Sequence, residues 1–209
     1  MDEAVLAALQ RWPEVADVYG WLELDLRGRY RLRTGAAEPA VYKTIGNAAL
    51  NAYIGRNYQP DDRGCWYFQN GPQRVFVDID HLPYVLRLDG ATARSAALLT
   101  QSDAPVERPL HAWLDADGGL IVEFQPADDP LPAFGALLDR DLPALVACFC
   151  DARGWPLDDA ALDRLLDGRA SDTFLAVGSQ RIPVDVLPAG GTFPFVRTPR
   201  PAPGEDACT

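Results

Sequence analysis

The clearest pattern in the chain is the alternation of apolar and polar residues over 21–33, which predicts two strands joined by a tight turn. A three-residue loop, Leu26 to Gly28, pairs Asp25 with Arg29, Leu24 with Tyr30, Glu23 with Arg31 and Leu22 with Leu32. Every pair is then like with like, an apolar face and an ion-paired face, whereas a two-residue loop would oppose Leu24 to Arg31. Upstream, Val5, Leu6, Leu9 and Trp12 form one helical stripe that Pro13 ends. Residues 40–55 read as the next helix, entered after Pro39 and left near Gly55, with Ala48, Ala49 and Ala52 small enough to approach a sheet closely.

The aromatic stretch at 65–78 reads as strand, turn and strand, and it recurs at 174–185. At a constant offset of 107, Tyr67, Gly71, Gln73, Arg74, Val75, Val77 and Asp78 meet Phe174, Gly178, Gln180, Arg181, Ile182, Val184 and Asp185. Pro72 has no N–H to close a two-residue Asn-Gly turn, so a four-residue loop, Gln69 to Pro72, is expected, with Gly71 at positive φ. That loop pairs Phe68 with Gln73, Tyr67 with Arg74 and Trp66 with Val75. Residues 77–88 read as the end of one strand, a turn at Pro83 and another strand, and a further strand is expected over 96–100.

The order then repeats. Residues 111–124 predict a hairpin whose Leu114 to Gly118 echoes Leu24 to Gly28 at an offset of 90. Asp141 is placed to cap a helix carrying Leu142, Leu145, Val146 and Phe149, and a second helix over 158–166 follows Pro156 and ends at Gly168. The expected fold class is α+β, with two tandem related lobes, each β-hairpin, α-helix, β-hairpin, their mainly antiparallel sheets packed on helices. The expected boundaries are 1–100 for the first lobe, 106–190 for the second, and a Pro-rich mobile tail over 191–209.

With 209 residues and 48% hydrophobic content the chain can bury a substantial core. Its net charge of −11 is concentrated in the second half, which makes nucleic acid a poor partner, since phosphate binding needs clustered cations. No basic, apolar leader and no run of about 20 apolar residues is present, so a cytoplasmic protein without membrane association is expected. Arg29, Arg31 and Arg33 form a ladder, but Asp25 and Glu23 stand opposite the first two and neutralise them. Cys148 and Cys150, placed on one helix, would point about 200° apart. All four cysteines are therefore read as reduced thiols and not as ligands, with no metal and no cofactor expected.

The segment 66–75, preceded by Ile54, Gly55, Arg56, Asn57 and Tyr58, resembles a proteobacterial family known only as a domain of unknown function. The resemblance is most specific over 20–88 and implies no activity. The catalytic signatures are missing too: there are two histidines, His81 and His111, no G-x-S-x-G, and no phosphate loop. Asp78 and Asp185 are equivalent in the repeat and are read as ion-pair partners of their own Arg74 and Arg181 in preference to an acid pair. The leading expectation is a non-enzymatic module that binds a small molecule or a protein. Its candidate surface is Arg56, Asn57, Tyr58, Trp66, Tyr67, Gln73, Arg74 and Asp78. The alternatives are an enzyme of unrecognised type with a polar site between the lobes, and a homo-oligomeric assembly protein.

Overall fold

A computed structural model describes residues 1–35, 39–92, 95–127, 131–169, 172–204 and 207–208. The fold is mixed α/β and dominated by strands, and it divides into two compact units, Met1–Pro83 with Pro194–Thr209, and Tyr84–Phe193.

In the first unit, helix α1 (Glu3–Arg11) precedes strands β1 (Asp17–Leu24), β2 (Tyr30–Arg33) and β3 (Tyr42–Thr44). Helix α2 (Ala48–Arg56) leads to β4 (Tyr58–Pro60), β5 (Trp66–Asn70) and β6 (Gln73–Ile79). The sheet order is β3-β2-β1-β6-β5-β4, with the short strand Ala207–Cys208 beside β1. The charge-selected register of the first hairpin holds, Leu22 facing Leu32, Glu23 facing Arg31 and Leu24 facing Tyr30. Arg31 is ion-paired to Glu23 at 2.5 Å and Arg29 to Asp25 at 2.6 Å.

The helix expected over 40–55 is shorter. Its first part is strand β3, suited to the aromatic and β-branched residues Tyr42 and Thr44. The helix starts only where the Asn47 side chain accepts the Leu50 N–H at 3.1 Å and caps it.

The second unit contains β7 (Tyr84–Thr92), β8 (Ser95–Thr100), β9 (Pro109–Leu114), β10 (Leu120–Phe124) and β11 (Ala133–Leu137). Helix α3 (Leu142–Leu145), β12 (Phe149–Asp151), helix α4 (Asp159–Leu166), β13 (Thr173–Val177) and β14 (Gln180–Val186) follow. Seven strands form a closed barrel in the order β13-β14-β9-β10-β11-β7-β8, closed where Val177 of β13 meets Ala96 of β8. The sequence predicts mainly antiparallel sheets packed on helices, without describing a barrel, and assigns residues 84–100 to the first lobe. Those residues are β7 and β8, which complete this barrel.

The helix expected to carry Leu142 through Phe149 breaks into α3 flanked by 3-10 turns, and Phe149 and Cys150 lie in β12. Asp141 does not cap it; its carboxylate accepts the Leu88 N–H instead.

Apart from β7 and β8, the second unit has the strand order of the first, β11-β10-β9-β14-β13-β12. The register matches as well. Glu23 faces Asp78 across the parallel β1–β6 pair, and Trp113 faces Asp185 across the parallel β9–β14 pair. A tight turn also recurs, in which an aspartate carboxylate accepts the backbone N–H groups two and four residues on. Asp25, Asp61, Asp115 and Asp151 all build it, and 25 to 115 and 61 to 151 share the offset of 90. The offset grows to 107 at the last hairpin because α4 lies between β12 and β13.

The last hairpin of each unit corrects the expected four-residue loop. Asn70 faces Gln73, Gln69 faces Arg74 and Tyr67 faces Phe76, so the loop is Gly71-Pro72 alone. Gly71 takes φ +58° at the first loop position, and the ring of Pro72 fits the negative φ of the second, as in a type II′ turn. The closing N–H belongs to Gln73, so the proline's missing donor costs nothing. Gly178-Ser179 repeats the arrangement, with φ +58° at Gly178.

A Cβ has room at both glycines, so Gly71→Ala and Gly178→Ala isolate the backbone strain. Each is expected to destabilise its unit by about 1 kcal/mol in chemical denaturation. Gly46→Ala, at negative φ with open space, should stay within about 0.5 kcal/mol.

Candidate functional site

Side chains alternate across the first unit's sheet. One face carries Tyr58, Trp66 and Phe68, packs against α2 through Tyr53 and Phe68, whose ring centroids are 5.3 Å apart, and is core. The opposite face presents Asp17, Tyr19 and Glu23 from β1, Arg31 and Arg33 from β2, Tyr67 from β5, and Arg74, Phe76 and Asp78 from β6.

On that second face Tyr19 stacks on Phe76 with centroids 4.3 Å apart, and Tyr67 packs on Phe76 at 5.6 Å. Cys65 and Val196 complete this small apolar cluster. Residues 194–200, read from the sequence as part of a mobile tail, lie along it. The Val196 N–H donates to the Gly64 carbonyl at 2.8 Å and the Ile79 N–H to the Arg197 carbonyl at 2.8 Å. The segment thereby bridges the fork where β5 and β6 diverge, and the Arg197 guanidinium donates to the Asp80 carbonyl.

The predicted site residues fall into two groups. Arg56 forms two hydrogen bonds to the Asp2 carboxylate, each 3.1 Å. Asn57 is 1% exposed, and its side chain accepts the Asp2 N–H at 2.8 Å and donates to the Tyr53 carbonyl at 2.9 Å. Tyr58 donates to the Pro83 carbonyl at 3.1 Å and packs on Trp66 with centroids 4.7 Å apart. Asn57, Tyr58 and Trp66, all buried, and the exposed Arg56–Asp2 pair together tie α1, α2, β4 and β5. Tyr67, Gln73, Arg74 and Asp78 belong to the second group, along β5 and β6.

The Tyr67 hydroxyl accepts from Gln59, and burial pushes the phenol pKa up. Gln73 donates to the Ala16 carbonyl at 3.0 Å. Arg74 lies over the Tyr67 and Phe76 rings at 5.8 and 5.6 Å. The expected ion pair between Arg74 and Asp78 does not form. The two lie four positions apart on β6, about 13 Å along an extended strand. Arg74 instead clasps Asp17 through two hydrogen bonds, Nε to Oδ1 at 3.0 Å. The second unit does the same: Arg181 donates to the Ala152 carbonyl, and Asp185 meets His111 at 2.9 Å.

Asp78 is left in an unusual position. Its Oδ1 is buried without a hydrogen-bond partner, and burial pushes its pKa up, with the Asp80 charge adding to the rise. The charges of Arg200 and Arg33 pull the other way and are outweighed. Glu23, its neighbour across the parallel pair, is also shifted up, first by burial and then by Asp80, despite its bond to Arg31. Glu23, Arg33 and Arg200 were not among the predicted site residues. The alternation of 21–33 marks Glu23 only as the partner that neutralises Arg31, and Arg33 only as the last of the arginine ladder.

Among the described residues no group of three or more His, Cys, Asp or Glu side chains is arranged to hold a metal ion. No described helix is long and apolar enough to cross a membrane.

Comparison with solved structures gives a DUF1285 family protein from Shewanella baltica OS155, 10% identical, covering 57% of this chain and 84% of that one at a TM-score of 0.39. A second DUF1285 family protein, from Silicibacter pomeroyi DSS-3, is 11% identical over 81% of this chain and 80% of that one, at a TM-score of 0.42. No curated protein matches. The family whose profile matches does so over residues 1–200, nearly the whole chain, and extends well beyond the 20–88 segment that carried the sequence resemblance. The chain belongs to that family, DUF2944, described as "Protein of unknown function (DUF2946)".

Proposed function

We propose that this is a non-enzymatic binding module whose ligand, a small molecule or a side chain of a protein partner, donates hydrogen bonds to Asp78. The single observation that carries this reading is the buried, unpartnered Oδ1 of Asp78. A buried acceptor without a partner costs roughly 1–3 kcal/mol, and a ligand donor recovers that cost. Amine, guanidinium and amide groups meet the requirement. Arg74 and Tyr67 share the strand face of Asp78 and extend the proposed surface, while Asn57, Tyr58 and Trp66 support it from the core and Arg56 braces α2 to Asp2 at the surface. Cys65, Cys148 and Cys150 are not disulfide-bonded, which suits a cytoplasmic setting. We also infer that the two units descend from one duplicated segment; their matching strand order and register support this.

The cost of Asp78 has a definite pH dependence. Folding raises its pKa, so the folded state is disfavoured as pH climbs from the unfolded value, about 3.9, through the raised one. Asp78→Asn is therefore expected to raise the melting temperature at pH 7 and to leave it unchanged near pH 3, as measured by thermal denaturation at both. The binding test uses agmatine and an arginine amide as probes in thermal-shift and calorimetric titrations. At 100 times Kd the wild type should gain about 2.7 kcal/mol, and Asp78→Asn, still folded, should gain nothing. An equal gain in both proteins would remove Asp78 from the site, and no gain in the wild type would remove cationic donors from its ligands.

A further inference from the structure

The second unit has a cleft of about 220 Å³ whose lining includes Cys148, Cys150, Gly154, Gly178, Ser179 and Arg181. Both cysteines are buried, and neither is in a disulfide. On a helix their side chains would diverge. Instead Cys148 ends a 3-10 turn and Cys150 sits in β12, with Phe149 between them in an extended conformation, φ −76° and ψ 134°. The break from 3-10 turn to strand brings both residues to the lining of the one cleft.

The Cα atoms of residues so placed lie about 6.5 Å apart. That is near the upper limit for a disulfide, which favours about 5.5–6 Å. It suits a bridge of two metal–sulfur bonds of about 2.3 Å each, once the side chains lean together. Arg181 supplies the third component. Its guanidinium donates to the Ala152 carbonyl at 3.2 Å, and a Cβ added at Gly154 would sit 2.9 Å from its Nη1. Glycine at 154 thus leaves the space that the cation occupies at the cleft wall.

We propose that this cleft is a two-coordinate site for a monovalent thiophilic metal ion of the copper group, held between the thiolates of Cys148 and Cys150 with Arg181 as counter-charge. The exchange balances as one M⁺ bound and two thiol protons released, leaving a complex of net charge −1 that the guanidinium neutralises. Linear coordination by two soft donors satisfies such an ion. A divalent ion of tetrahedral or octahedral preference lacks further ligands, since no cluster of three or more donors exists among the described residues. Burial raises the pKa of both thiols, so protons compete strongly and the affinity climbs with pH. This site is independent of Asp78 and of the ligand proposed there.

The test is anaerobic titration of the full chain with Cu(I) against a chromogenic chelator, repeated with Ag(I). The wild type should bind one tight equivalent, with log K rising by about two per pH unit while both thiols are protonated. Cys148→Ser and Cys150→Ser should each abolish it, Arg181→Gln should weaken it about tenfold, and Cys65→Ser should leave it unchanged. Alkylation mapping of the wild type with and without Ag(I) covers the case in which a cysteine variant does not fold; joint protection of Cys148 and Cys150 is expected. Absence of tight binding by the wild type, retention of it in folded Cys148→Ser or Cys150→Ser, or alkylation of these two thiols unaffected by Ag(I) would overturn the proposal.

Discussion

The parallel pairing of β1 with β6 is the joint on which the first unit depends. It brings Leu22, Leu24, Val77 and Ile79 together, all nearly fully buried, from segments more than fifty residues apart. Burying four such side chains contributes about 1.5–3 kcal/mol each, which exceeds the roughly 3–4 kcal/mol needed to close a chain of that length. The β9–β14 pair does the same for the second unit with Ala112, Leu114 and Val184. Everything between the paired strands, including the helix and the hairpin ends, is held by this closure.

The same joint creates the first unit's polar face. Because alternate residues point to opposite sides, seating Leu22 and Leu24 against Val77 and Ile79 forces Glu23 and Asp78 to be neighbours on the other side. Two carboxylates with upward-shifted pKa are the consequence, and Arg31 satisfies only Glu23. The equivalent position beside Asp185 is Trp113, which stacks on His111 with centroids 4.4 Å apart. One backbone plan therefore supports a carboxylate with one buried, unpartnered oxygen in one unit and an aromatic-backed His–Asp pair in the other.

Much of this was legible where neighbours in sequence are neighbours in space. The charge alternation of Glu23, Asp25, Arg29 and Arg31 selected the correct hairpin register, because a wrong register would oppose apolar to charged residues. The matching turns of the two units were legible, since Asp-x-x-Gly and Gly at positive φ leave fixed marks. The break of the second long helix was hidden, because Val146, Phe149 and Cys150 suit a buried helix as well as a buried strand. Barrel closure was hidden too. It rests on β7 and β8 reaching β11 and β13, and no local pattern encodes those pairings. The candidate surface was only half legible, because both faces of the first sheet are partly covered. Alternation then cannot separate Tyr58 and Trp66, which are core, from Tyr67 and Asp78, which face the other way. The true partner of Arg74, Asp17, lies 57 residues away and left no sign in sequence.

The proposed binding face rests on the half-buried Asp78, whose Oδ1 is shut off from water and has no hydrogen-bond partner. Its most direct test is a pH titration of the Asp78 side-chain carboxyl carbon by NMR in the full chain. The midpoint should lie clearly above the ordinary aspartate value of about 3.9 and should return toward it when the protein is unfolded. A midpoint at or below that value in the folded protein would show that Asp78 is already satisfied, and the proposed binding face would lose its basis.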